Sequence, residues 1–151
     1  MTTSNFVKAI YKVAILICAL TSFGVQAADK PAEKSTNARA QVVFQVSDDD
    51  AKKWNLALNN AKNVQQELGV KNVDVEIVVY GPGIGMLKFE SAVASRIDEA
   101  LTAGVKVVAC ENTMKAQKLS KADMMTTIGY VPAGVVEIMN KQKEGYAYIR
   151  P

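Results

Sequence analysis

The sequence predicts an α/β protein, a three-layer α/β/α sandwich on a five-stranded, mainly parallel sheet. Short β-branched runs alternate along the chain with longer segments whose apolar residues recur every three or four positions. Glycines stand where most of those longer segments end. Strands joined through helices pair in parallel by right-handed crossovers, which puts helices on both faces of the sheet. A chain of 151 residues, 49% hydrophobic and 22% charged, suits one such domain.

The first segment reads as an address. Lys8 and Lys12 precede the apolar run Val13 to Leu20, and Val25-Gln26-Ala27 offers small side chains where a signal peptidase reads. The expectation is a signal peptide over 1–27, cleaved after Ala27, and delivery to the periplasm. The eight-residue apolar run, interrupted by Thr21 and Ser22, is too short to span a bilayer, so no stable membrane span is expected after cleavage. Residues 28–40 carry no apolar periodicity and read as a disordered leader, with the domain over 41–151.

Gln41 to Val46 is the first β-branched run, and Ser47-Asp48-Asp49-Asp50 supplies capping side chains for the helix that follows. From Lys52 to Leu68, Trp54, Ala57, Leu58, Ala61, Val64 and Leu68 form one stripe, and Gly69 stops it. Val73 to Tyr80 begins by alternating and ends continuous, as a strand does on entering a covered sheet. Gly81-Pro82-Gly83-Ile84-Gly85 then reads as a loop.

A second helix is expected from Ser91 to Ala103, with Val93, Ile97, Ala100 and Leu101 inward, and a third strand over Val105 to Cys110. Asn112 to Leu119 reads as a short helix and Ile128 to Val131 as a weaker strand. Pro132 fits the first turn of a fourth helix carrying Val135, Val136, Ile138 and Met139, and Tyr146 to Ile149 closes the sheet.

Composition excludes several chemistries. The chain has no histidine, so Ser-His-Asp and Cys-His nucleophile pairs, His-ligated zinc and HExxH proteases are ruled out. Without residues 1–27, which hold Lys8 and Lys12, the net charge falls from +3 to about +1, and no nucleic-acid partner is expected of a near-neutral surface. Asp48, Asp49 and Asp50 are explained by capping, and Met114, Met124 and Met125 by the core or an interface, so no metal is expected. The 81–85 loop is neither a P-loop nor a dinucleotide fingerprint, and no cofactor is expected. A flavin would rest on analogy of fold alone.

Cys18 leaves with the signal peptide, so Cys110 is unpaired in an exported chain: buried and inert, bonded between chains, or reactive. Ligands of open parallel sheets bind beyond the carboxyl ends of the strands. Ser47/Asp48, Tyr80-Gly81-Pro82-Gly83 and Cys110-Glu111-Asn112-Thr113 all map to that edge and become neighbours if the first three strands are adjacent. Cys110 precedes a helix, whose free N–H groups favour a thiolate; Glu111 opposes it, and a cysteine there is equally a packed small hydrophobe.

The segments Val79-Tyr80-Gly81-Pro82-Gly83-Ile84, Val108-Ala109-Cys110-Glu111-Asn112-Thr113-Met114, Val131-Pro132-Ala133-Gly134-Val135-Val136-Glu137 and Glu144-Gly145-Tyr146-Ala147-Tyr148-Ile149 resemble the DsrE/DsrF-like family, in particular its small, exported, single-domain bacterial branch. The resemblance covers about residues 40–151. It implies the same three-layer fold, a homo-oligomer, and sulfur metabolism in which relatives carry sulfur as a cysteine persulfide. Two expectations follow. One is a sulfur carrier acting through Cys110, with Asn112, Thr113, Tyr80, Gly81 and Gly83 positioning a small sulfur compound or a donor or acceptor protein. The other is a non-catalytic oligomeric module that binds a small ligand or a partner and in which Cys110 is inert.

Overall fold

The computed structural model describes residues 39–151; the expected signal peptide and nearly all of the expected leader lie outside the described residues. Five strands, β1 (Ala40–Val46), β2 (Val73–Val79), β3 (Lys106–Cys110), β4 (Gly129–Val131) and β5 (Ala147–Ile149), form one sheet in the order β4-β3-β2-β1-β5. All four pairings are parallel. The helices between them are α1 (Ala51–Leu68), α2 (Ala94–Thr102), α3 (Glu111–Ala116) and α4 (Gly134–Lys143).

The layers are unequal. Alternate residues of the strands, among them Phe44, Ile77 and Val107, pack beneath Trp54, Ala57, Leu58 and Ala61 of α1, Ile97 of α2 and Met114 of α3. On the opposite face the buried core is Val43, Val78 and Val108 against Ile138 of α4. The connections between the first four strands thus cover one face, and the single crossover from β4 to β5 covers the other. Among the described residues, no helix is long and apolar enough to cross a membrane.

Capping sets the start of α1 as expected: Asp50 is its N-cap and Oδ1 accepts the Lys52 N–H at 2.8 Å. Met114, Met124 and Met125 are all buried in the larger core.

Several expectations need correction. Leu68 is half-exposed, and the buried stripe of α1 ends instead on Gln65, whose Nε2 donates to the Ala103 carbonyl at 2.9 Å. A polar residue can occupy a helix's inner face once it has such a partner. The segment after β2 is no open loop but a 3-10 helix over Gly81–Leu87 that buries Ile84, Met86 and Leu87. Pro132 lies outside α4, which begins at Gly134; the Pro132 carbonyl accepts the Asn112 N–H at 3.1 Å. In α4 only Ile138 of the expected apolar residues is buried, while Val135, Val136 and Met139 are half-exposed because, among the described residues, this helix packs on the sheet with one face only. The alternation Val73-Asp74-Val75-Glu76 does not deliver a polar face to water, since α4 covers Glu76, which is 1% exposed.

Candidate functional site

Register builds the site. Val46 pairs with Val79 and Val79 with Ala109, so Ser47, Tyr80 and Cys110 leave three adjacent strands side by side. The three candidate segments therefore meet at the carboxyl edge of the sheet, as the expected adjacency of β1, β2 and β3 requires. The Tyr80 N–H donates to the Val46 carbonyl at 3.1 Å and the Gly83 N–H to the Ser47 carbonyl at 3.1 Å, tying the second segment to the first. The Gly81 N–H donates to Thr113 Oγ1 at 2.9 Å and Gln117 Nε2 to the Gly81 carbonyl at 3.2 Å, tying it to the third.

These bonds decide the role of the glycines. With the N–H groups of Gly81 and Gly83 both engaged inside the protein, the segment is no ready-made anion cradle. Gly81 adopts φ 57°, a left-handed turn that a side chain disfavours. Gly83 is buried for another reason: a Cβ there would lie 2.8 Å from the Val46 carbonyl oxygen.

Cys110 is the N-cap of α3 and its side chain is 5% exposed. Its Sγ accepts the Thr113 N–H at 3.4 Å. Burial pushes the thiol up, but the side chain of Thr113 and the N–H groups of Gly134, Thr113 and Asn112 together outweigh it and hold the thiol below its ordinary value. The Asn112 contribution is the smallest, since that N–H has the Pro132 carbonyl as its acceptor. Thr113 Oγ1 already accepts from Gly81, so its own proton is left to offer to the sulfur.

Gly134 is the functional residue that a reading of strand edges misses. It opens α4 on the opposite sheet face, and a Cβ at this position would stand 3.1 Å from Tyr80 Cβ and 3.3 Å from Cys110 Cβ. Glycine lets the positive end of a second helix come against the thiol. The Val-Pro-x-Gly-Val segment carried the signal: β4 pairs Val131 with Cys110, and α4 opens three residues later.

Tyr80 is half-buried, and burial raises its hydroxyl above the ordinary range; Tyr148, Arg150, Asp48 and Cys110 are its ionisable neighbours. Tyr148 donates its hydroxyl to Gln45 Oε1 at 2.6 Å, and Arg150 pairs with Asp48 at 3.2 Å, so β5 and the β1–α1 turn close one flank of the site. Asn112 is exposed beside Cys110. The site therefore unites Cys110, Thr113, Gly81 and Tyr80, has Asn112 at its surface, and uses Gly83 as packing beneath it.

Chemically the arrangement can hold an anionic sulfur against backbone donors in a largely water-excluded setting. Among the described residues it offers no second thiol, and the sequence holds no imidazole, so a proton on the sulfur must be exchanged with hydroxyl or carboxyl groups or with solvent.

Comparison with known proteins agrees with this fold. A solved protein of unknown function from Methanobacterium thermoautotrophicum is 33% identical, with a TM-score of 0.71, over 74% of this chain and 99% of its own. A protein of unknown function from Bacteroides thetaiotaomicron shares the fold at 14% identity, with a TM-score of 0.56, over 74% of this chain and 94% of its own. No curated protein matches. Residues 40–151, the whole of the sheet and every residue of the site, match the DsrE/DsrF-like family, and the chain belongs to it.

Proposed function

We propose that this protein is an exported sulfur carrier that holds a sulfane sulfur as a persulfide on Cys110. The observation that carries the reading is the placement of the Cys110 thiol at the start of α3, where it accepts the Thr113 N–H at 3.4 Å, with the first residue of α4, Gly134, packed against it. Family membership supports it, and the basic, apolar and small-residue order of residues 1–27 supports export to the periplasm.

The step is an exchange at sulfur. The Cys110 thiolate attacks the outer sulfur of a donor persulfide or polysulfide, and a bond forms between Sγ and that sulfur. The donor's sulfur–sulfur bond breaks, and the released thiolate takes the electron pair and then a proton. An acceptor thiolate attacks the outer sulfur of the Cys110 persulfide in turn and restores the Cys110 thiolate, so no external oxidant or reductant enters. Thr113 and Gly134 stabilise the thiolate before and after each transfer, while Tyr80 and Asn112 border the approaching sulfur.

The test is the intact mass of the folded protein after polysulfide, with and without reductant, beside Cys110→Ser. A reducible gain of one sulfur atom, absent from the variant, is expected; no gain in the wild-type protein overturns the reading.

A second reading draws on the 5% exposure of Cys110. In it the protein is a non-catalytic binding module and the thiol resists alkylation until unfolding. Self-association belongs to both readings. We propose that a second copy covers the half-exposed Val135, Val136 and Met139 of α4. A Val136→Glu variant is expected to elute as a smaller species than the wild type in size-exclusion chromatography with light scattering.

A further inference from the structure

Glu76 is a carboxylate in the middle of a central strand, 1% exposed, and among the described residues neither of its oxygens has a hydrogen-bond partner. A buried charge of this kind persists only if other charges compensate it. Lys141 of α4 stands 3.7 Å from Oε2 and Lys106 of β3 stands 3.5 Å from it. The Lys106 side chain is largely in solvent, whereas that of Lys141 is 12% exposed. Lys141 also meets Glu144 at 2.9 Å and Glu137 at 3.9 Å, and lies over the Tyr146 ring at 5.0 Å.

Gly134, Ile138 and Lys141 recur at spacings of four and three, so they lie on one face of α4. Gly134 touches Tyr80 and Cys110, Ile138 fills the small core with Val43, Val78 and Val108, and Lys141 reaches Glu76. An apolar contact as small as the Ile138 one does little to set how far α4 slides or turns along the sheet. A directional ion pair at the far end does, and the helix transmits its position two turns along to the Gly134 N–H.

We propose that Glu76 and Lys141 are positioning residues for Cys110, acting through α4 to hold its first residue, Gly134, packed against Cys110 and Tyr80. The inference rests on the thiolate part of the proposed function and is independent of sulfur transfer.

The test is the pH midpoint of the ultraviolet thiolate absorbance, taken against Cys110→Ser so that it does not depend on access of a reagent. Wild type is expected to titrate below an ordinary cysteine. Glu76→Gln and Lys141→Met are expected to raise the midpoint by about half a pH unit or more, a change of about threefold in thiolate below it. Lys141→Arg is expected to restore it. Glu76→Gln removes a buried charge and is not expected to loosen the fold, so a raised midpoint in that variant reports position; it carries the test if Lys141→Met does not fold. A wild-type midpoint in Glu76→Gln overturns the proposal, and so does an ordinary midpoint in the wild-type protein. A low wild-type midpoint, raised in Glu76→Gln, with no sulfur uptake on mass analysis, overturns the carrier and leaves this inference standing.

Discussion

Gly134 and Cys110 approach so closely that a single added methyl at 134 would stand 3.3 Å from the Cys110 Cβ, tighter than ordinary van der Waals contact. The first turn of α4 can pack against the thiol so closely only because residue 134 has no side chain. Gly134→Ala improves intrinsic helix propensity by about 1 kcal/mol yet pushes the helix from Cys110 and Tyr80. The two effects oppose each other in stability. The expected outcome is a thiol midpoint moved up towards the ordinary cysteine value with a urea midpoint little changed, read by thiolate absorbance and denaturation on the same sample.

Thr113 serves two neighbours at once. Its Oγ1 accepts the Gly81 N–H at 2.9 Å, and its side chain is the largest of the influences that lower the Cys110 thiol. Thr113→Val keeps the shape and removes both, leaving a part-buried N–H without a partner at a cost of about 1 to 3 kcal/mol. Thr113→Ser keeps the hydroxyl. Thr113→Val is expected to lose stability and to titrate higher at Cys110, and Thr113→Ser to follow the wild type in the thiol titration. Equal thiol midpoints in Thr113→Val and wild type would show that the hydroxyl does not act on the sulfur.

How much of this was legible in sequence depended on whether the signal was local. The strands and α1 follow from β-branched runs and a helical stripe, which act over a few residues, and the meeting of Tyr80 with Cys110 follows from the carboxyl-edge rule once β2 and β3 are adjacent. Gly134 and Glu76 were not legible, because the first depends on the register that sets Val131 beside Cys110 and the second on the crossover that lays α4 over the opposite face. A glycine at the start of a helix and an alternating glutamate are ordinary in sequence until that helix is placed. Gly81-Pro82-Gly83 misled for a related reason: turn residues that read as an open loop form a 3-10 helix once Met86 and Leu87 have a core to enter.

Gly83 gives the clearest steric prediction. Its missing Cβ would stand 2.8 Å from the Val46 carbonyl oxygen and 3.0 Å from Ser47 Cα, both backbone atoms that cannot rotate away. Gly83→Ala is expected to cost about 1 to 3 kcal/mol or more and to part the 3-10 segment from the β1–α1 turn. A fall in the thermal midpoint checks the loss, and an unchanged midpoint would mean that the segment shifts freely. Gly104 has open space where a methyl would go but adopts φ 85°, so it isolates backbone strain from crowding, and Gly104→Ala is expected to lose less.

Glu76 makes stability depend on pH in a direction opposite to that of most carboxylates. Burial raises its carboxyl above the ordinary 4.5, against the pull of Lys106 and then Lys141, with Glu137 adding to the rise. A group whose folded value is raised binds its proton more tightly in the native state, so its stabilisation is complete below 4.5 and is lost as pH rises through the folded value. Lys141 is also raised, first by its bond to Glu144, but from 10.5, so its contribution is lost only at alkaline pH and does not mask this limb. Replacing the acid by its neutral isostere removes the limb. Across urea denaturations from pH 4 to 8, Glu76→Gln is therefore expected to gain on the wild type as pH rises through the folded value and to keep that gain above it, while Lys141→Met, which leaves the carboxylate only the solvent-exposed Lys106, is expected to lose stability at neutral pH. A constant difference between Glu76→Gln and wild type over that range would show that Glu76 keeps an ordinary affinity for its proton in the folded protein.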